Sequence, residues 1–305
     1  MRSNNSLRRN GKYRRSMRQI LGFNFYDVFV FLFCIVFALV CVYPMWYVLV
    51  ASVTPYEEYI KGGLMLWPTG GVDLQYYKAI FSTKSFTNSM WISVSKTVIA
   101  TVLSVLVTAS MAYGVSKVHV KGMKVINALV VFNLFFTGGL IPQYILYQNL
   151  GLLRNYWVMV IPGALNITYF IIMRNYYSYS VPKSLEEAAL LDGCTDIGVL
   201  FRIMLPISKP AITTVALFYA VDHWNDFFSA IMYINSRAKW PLQLFLRSML
   251  FENDAAYSGS GESLFLLGQP MKMAAVMLAV IPIMCAYPFF QKYFTKGVMM
   301  GAVKG

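Results

Sequence analysis

The chain has 305 residues, of which 58% are hydrophobic and only 13% charged. A water-soluble domain is typically about a quarter charged, so with a mean hydropathy of +0.55 the soluble globular classes are excluded and an all-α integral membrane protein is expected. The net charge of +13 raises nucleic acid or acidic lipid as partners, but its distribution along the chain favours membrane topology.

Residues 1–24 form a basic, polar tail carrying Arg2, Arg8, Arg9, Lys12, Arg14, Arg15 and Arg18. An apolar run of about 18 residues or more can cross the hydrocarbon as a helix. Six such runs are predicted within a transmembrane domain over 25–295: Tyr26–Val53, Trp91–Ser116, Val125–Tyr147, Tyr156–Arg174, Ala211–Ile234 and Met273–Phe294. The first is too long for a signal peptide, whose apolar core is about 7–15 residues, and is expected to remain as an anchor. With the N-terminus inside, the inner segments hold 17 basic residues and the outer loops seven, with Lys96 and Lys272 set apart as snorkelling outer-end residues. Cytoplasmic loops are enriched in Lys and Arg, so both termini, including the tail 296–305, are predicted cytoplasmic. That reading leaves nucleic acid without a role.

Between the first two spans, Trp67, Tyr76 and Tyr77 suit the membrane interface. "FTGGLIP" (Phe136–Pro142) and "VIPGALN" (Val160–Asn166) should break helical hydrogen bonding, either as packing kinks or as backbone lining a water-filled cavity. "FENDAAYSGSGES" between spans five and six reads as an exposed outer excursion.

The longest internal polar signal is residues 183–206. Ser184 followed by Glu187 predicts a capping box. The helix it opens should end near Asp192, with Gly193 as the left-handed residue after it. Thr195 or Asp196 should cap a second helix, stopped by Pro206. In that helix Ile197, Leu200, Phe201 and Met204 recur at i, i+3, i+4, i+7, predicting one apolar face. A lipid-lying helix should be rich in Lys and Arg. This one has only Arg202 in an acidic neighbourhood, so a groove on a protein partner is favoured.

"EEAALLDGCTDIGVLFRIMLPISKP" resembles the EAA loop of ABC importer permeases. Glu187, Ala188, Ala189, Asp192, Gly193, Ile203, Leu205 and Pro206 match that pattern, and the resemblance implies that they dock a separate ATPase. "HWNDFFSAIMYI" and the C-terminal "QKYFTKGVMMGAVKG" are similar to the carbohydrate branch, the MalG-like permeases. "FTGGLIPQYILYQNLGLLRN" resembles its LplC-type subgroup. The resemblance covers nearly the whole chain after about residue 20. It implies a type I importer for oligosaccharides or complex saccharides in the inner membrane. Its parts would be a second permease subunit, two ATPase subunits that bind ATP and Mg, and an extracellular or periplasmic sugar-binding protein. This chain would then be no enzyme and hold no cofactor. Its own residues agree, since it carries no G-x-x-x-x-G-K-[ST] phosphate loop and no metal-binding His pair.

Ionisable groups inside a span are costly and usually face a cavity or the bundle interior. Tyr219, Asp222, His223 and Asp226 share one helical face, with Trp224 and Asn225 on its flank. These six are candidate substrate-pathway residues, offering hydroxyl partners and an aromatic plate for a saccharide; an interhelical polar cluster is the structural alternative. Asn133, Tyr144 and Asn166 are weaker lining candidates. A proton-coupled secondary transporter using Asp222, His223 and Asp226, or a non-transporting scaffold, are the other readings.

Overall fold

The computed structural model describes residues 25–63, 65–68, 70–117, 120–251 and 268–302. The basic tail and the centre of the predicted outer excursion lie outside them. Every regular element among the described residues is helical, as the apolar runs require: a backbone in hydrocarbon must satisfy its own hydrogen bonds.

The spine is one unbroken helix, Lys84–Ser116. Its buried residues Ser89, Ser93, Lys96, Ala100, Ser104, Thr108 and Ala112 recur every three or four positions. This stripe is small or polar, which lets neighbouring helices approach closely and bond across the contact. The helices Ile167–Tyr179 and Lys209–Asn225 both pack on it. At about 1.5 Å per residue, its 33 residues outreach the hydrocarbon core. It starts before the predicted Trp91, because polar Lys84–Asn88 continue the helix where an apolar run has not yet begun. The last helix, Gly268–Ala302, overruns its predicted apolar span at both ends for the same reason.

The N-terminal helix Phe25–Val53 is apolar all round, and its most hydropathic window is entirely unburied within this chain. Such a surface needs lipid or another subunit against it. Its C-terminal end enters the fold, where Val50, Ala51 and Ser52 are buried and Ser52 hydrogen-bonds Tyr77 across 2.7 Å. Of the residues assigned to the interface, Trp67 is exposed against Trp46, but Tyr76 is not: it is fully buried with Ile80 and Phe86. The short helix Gln75–Ser82 turns it inward.

The other predicted spans are interrupted. Val125–Tyr147 is two helices, Met123–Phe135 and Leu140–Asn149, separated at "FTGG". Tyr156–Arg174 begins as two single turns, Tyr156–Met159 and Pro162–Ala164, before the helix Ile167–Tyr179. Ala211–Ile234 breaks at Asp226 into Lys209–Asn225 and Phe228–Tyr233. Among the described residues three helices are long and apolar enough to span a membrane, or five if each bent pair counts as one. The six-span count is therefore not reached on this measure, because the third run divides into pieces too short to cross alone.

A helix absent from the sequence reading, Leu242–Phe251, comes after the fifth span. Leu242, Phe245, Leu246 and Met249 are buried at i, i+3, i+4, i+7, an amphipathic signature readable in "LQLFLRSML". Phe245 meets the ring of Phe86 at 6.1 Å, and Phe86 also meets Phe81 at 5.7 Å. Phe86→Ala should cost about 3–5 kcal/mol, the range for emptying a buried aromatic site. A clearly lowered thermal unfolding midpoint in detergent is the expected result.

Candidate functional site: a polar seam and a fastened loop

At the end of Lys209–Asn225 the backbone leaves the helix at Asp226 (φ −71°, ψ 104°). Lys96 of the spine meets it there. Its Nζ donates to the Asp226 carboxylate and to the Asp226 backbone oxygen, each at 2.8 Å. Lys96 is fully buried, whereas the Asp226 side chain is 28% exposed. The Ser229 amide donates to the second carboxylate oxygen at 3.1 Å, and the Ser229 hydroxyl also donates to this carboxylate. Lys96 is therefore no snorkelling outer-end residue. The earlier start of its helix places it well inside, where only a carboxylate and a freed carbonyl make its charge tolerable.

Further along, the spine bonds the second break. Ser104 Oγ donates to Gly163 O at 3.3 Å and shares a 3.1 Å hydrogen bond with His223 Nε2. A Cβ on Gly163 would come within 3.1 Å of the His223 ring, so the break and the imidazole pack without room for a side chain. Tyr219 shares a 2.6 Å hydrogen bond with Thr108 and accepts one from the Asn166 amide at 2.8 Å. Asn166 caps Ile167–Tyr179 through its own side chain. Tyr169 donates to Asp222 at 2.7 Å.

Tyr219, Asp222, His223 and Asp226 thus line one cavity of about 350 Å³, together with Asn166, Gln143 and Tyr233. Trp224 does not reach it; it is buried in the apolar cluster with Tyr76 and Phe86. Asn225 also turns away, donating to Val221 O at 2.9 Å beside a second cavity. Successive helical residues point about 100° apart, so flank positions need not share a cavity. Asn133 is likewise turned to its own helix, donating to Leu129 O. Sequence reasoning missed Lys96, Ser104 and Thr108. An unpaired Lys in one span and an excess Asp in another carried that signal.

The second feature is the loop. Its first helix runs Lys183–Leu191 with Pro182 as N-cap and no side-chain cap. The predicted Ser184–Glu187 capping box is therefore incorrect: the helix opens before Ser184, so that serine lies inside the first turn. Gly193 does take the left-handed conformation, φ 81°, and Thr195 caps the second helix by accepting from the Gly198 amide at 3.2 Å.

Pro206 does not stop that helix, which continues to Ile207 and then bends by 84° into Lys209–Asn225. A π-turn over Leu200–Met204, closed by the Leu205 amide on Leu200 O, precedes the proline. The extra residue per turn shifts the phase of the residues beyond it. The predicted single apolar face is split, already between Ile197 and Leu200 where the π-turn begins. Val199, Leu200 and Met204 are buried in the bundle core, while Ile197 is 71% and Phe201 51% exposed. Of the residues that match the EAA pattern, Glu187, Ala188, Asp192, Gly193 and Pro206 are exposed. Ala189, Ile203 and Leu205 pack against the core.

Lys117, just past the spine's last turn, fastens both loop helices. It pairs with Glu186 at 2.9 Å and with Asp196, and lies 4.5 Å from the centre of the Tyr113 ring. Tyr113 in turn donates to Glu186 at 3.2 Å. Partial burial acts to lower the Lys117 pKa, but hydrogen bonds with Asp196, Tyr113 and Glu186 outweigh it and leave it raised.

Residues 11–300 match the family described as binding-protein-dependent transport system inner membrane component. The Bacillus subtilis polygalacturonan/rhamnogalacturonan transport system permease protein YtcP is 41% identical over 285 residues, covering 92% of this chain and 98% of that one. Protein LplC of the same organism is 41% identical over 268 residues, covering 87% and 90%. A chain of a bacterial ABC transporter involved in the import of the acidic polysaccharide alginate superposes with a TM-score of 0.81 at 30% identity, covering 88% and 96%.

Two predictions arise from this geometry. Asp226→Asn should destabilise more than Lys96→Met. The first strands a fully buried ammonium, at about 3–5 kcal/mol, whereas the second leaves a carboxylate with partial solvent access and a serine donor. Thermal unfolding of both variants and of the double variant, which should recover part of the loss, checks this. The raised Lys117 pKa stabilises the folded loop at every pH below the ordinary lysine value and is lost only as pH rises through the folded value. Amide exchange over 183–206 should therefore show no added opening, beyond the intrinsic rate, from pH 7 to 9. Lys117→Met should open it throughout that range.

Proposed function

We propose, from the premise that this chain belongs to the binding-protein-dependent inner-membrane components of ABC transporters, that it forms half of an oligosaccharide translocation pathway and docks its motor through residues 183–206. It is a multi-pass inner-membrane permease component of a carbohydrate ABC importer, a non-enzymatic part whose transport is powered by separate ATPase subunits. In this reading the partners are a second permease, two ATPase subunits that bind ATP and Mg, and a sugar-binding protein outside. Both termini lie in the cytoplasm.

The observation that carries the docking is the split helix. One side of Asp196–Ile207 is sealed into the core through Val199, Leu200 and Met204, while Ile197 and Phe201 stand out from it, 71% and 51% exposed. A short apolar ridge so presented fits a groove on a partner. Glu187, Ala188, Asp192, Gly193 and Pro206 border it. Ala189, Ile203 and Leu205 transmit the contact inward, and Lys117 carries it to the spine. Through its small and polar stripe the spine leads on to the cavity of Tyr219, Asp222, His223 and Asp226. Trp224 braces that helix, and Asn225 serves the neighbouring cavity.

A proton relay through Asp222, His223 and Asp226 is less well supported, because Asp226 is committed to Lys96 and two bonds from Ser229.

Gly193→Leu, which forces a side chain into a left-handed turn at about 1–2 kcal/mol, should leave membrane insertion intact and uncouple uptake from ATP hydrolysis in reconstituted importer. Deletion of 186–206 should abolish co-purification of the ATPase. Normal uptake by the first variant, or undiminished co-purification of the second, would refute the docking role.

A further inference from the structure

The second cavity, about 340 Å³, lies between Lys209–Asn225, Leu242–Phe251 and Gly268–Ala302. Its polar lining is Arg247, Asn225 and Gln243, and its aromatic lining is Phe227 and Phe251. We infer that this cavity is a subsite for a carboxylate-bearing sugar unit, with Arg247 as the residue that takes the carboxylate. The inference rests on the saccharide-permease reading above and adds a substrate class and a binding residue to it.

The chemistry of Arg247 carries it. Its guanidinium carbon lies 4.9 Å from the centre of the Phe227 ring and 5.3 Å from that of Phe251. Among the described residues it has no hydrogen-bond acceptor and no carboxylate partner. Ring contacts hold an Arg without consuming its N–H donors. Those donors form a planar fork that matches a carboxylate through two parallel hydrogen bonds. The remaining lining suits the rest of a sugar ring. Asn225 and Gln243 offer amide groups to hydroxyls, and the exposed Phe251 ring offers a face to sugar C–H groups. The volume is at the small end of ligand cavities, about 300–1,000 Å³, sufficient for one sugar unit and its link to the next.

The other cavity makes a poor rival for an anion. No Lys or Arg is among its described lining residues, Lys96 behind it is buried and spent on Asp226, and it adds the Asp222 carboxylate. An acidic saccharide is therefore repelled there and drawn to Arg247. The helix that carries Arg247 is placed by its amphipathic packing on Phe86, so the guanidinium is presented from a rigid element.

The test compares uptake of a galacturonate trisaccharide with uptake of its carboxyl-reduced, neutral counterpart, in proteoliposomes holding the complete importer. Arg247→Gln should lower the acidic-to-neutral uptake ratio by at least about tenfold, the scale of losing a charge-assisted pair of hydrogen bonds. Arg247→Lys, which keeps the charge but loses the fork, should fall between. An unchanged ratio, or an equal fall for both sugars, would overturn the inference and leave the permease reading standing. So would wild-type importer that carries the neutral sugar and not the acidic one. Active ATP hydrolysis with uptake of neither sugar would instead strike the saccharide reading beneath it.

Discussion

The bond from Lys96 to Asp226 is the contact on which the arrangement of the spans depends. A membrane span can unwind only where something replaces the lost backbone hydrogen bonds, since lipid offers none. Lys96 does this at Asp226, satisfying the side chain and the freed carbonyl with one ammonium. Ser104 at Gly163, and Thr108 with Tyr219 at Asn166, repeat the device further along the same helix. The unbroken spine thus supplies the polar groups that two broken spans need. The cavity lies where those breaks face each other.

The same helix links the cavity to the loop. Its buried stripe runs from Ser89, through Lys96 and Ser104, to Tyr113, and the helix ends at Lys117, which grips Glu186 and Asp196. In the proposed coupling, a displacement of the loop against that grip would act on one unbroken helix rather than on a chain of loose contacts. The second loop helix has two distinct faces, Val199, Leu200 and Met204 inside the core and Ile197 and Phe201 outside it. A regular helix would have placed Ile197, Leu200, Phe201 and Met204 together on one face.

The loop was the most legible part of the sequence, because its turn chemistry is local. Gly193 can be placed by its position after the helical run "SLEEAALLD", and Thr195 by its hydroxyl before the next. The capping box failed since Pro182, with no side-chain oxygen, already occupies the cap position. The π-turn was not legible, because helical periodicity assumes a constant residue count per turn. In the spans, apolar runs locate hydrocarbon rather than helix ends, so Lys84–Asn88 were missed and Lys96 was placed too near the surface. The breaks at "FTGGLIP" and "VIPGALN" were legible from Gly and Pro. The break at Asp226 was not, since Asn and Asp in "WNDFF" disfavour a helix only weakly and the facing Lys96 lies 130 residues away in the chain. Four of the six candidate pathway residues came together because they share a helical face. Trp224 and Asn225 parted from them because they do not.

The partition of the loop helix into a sealed face and a presented face is the claim on which coupling stands, and photo-crosslinking tests it most directly. A benzoylphenylalanine placed at position 201 in the assembled importer should capture an ATPase subunit, and the same group at position 204 should crosslink only within this chain. Capture of the ATPase from position 204 in place of 201, or from neither, would contradict it.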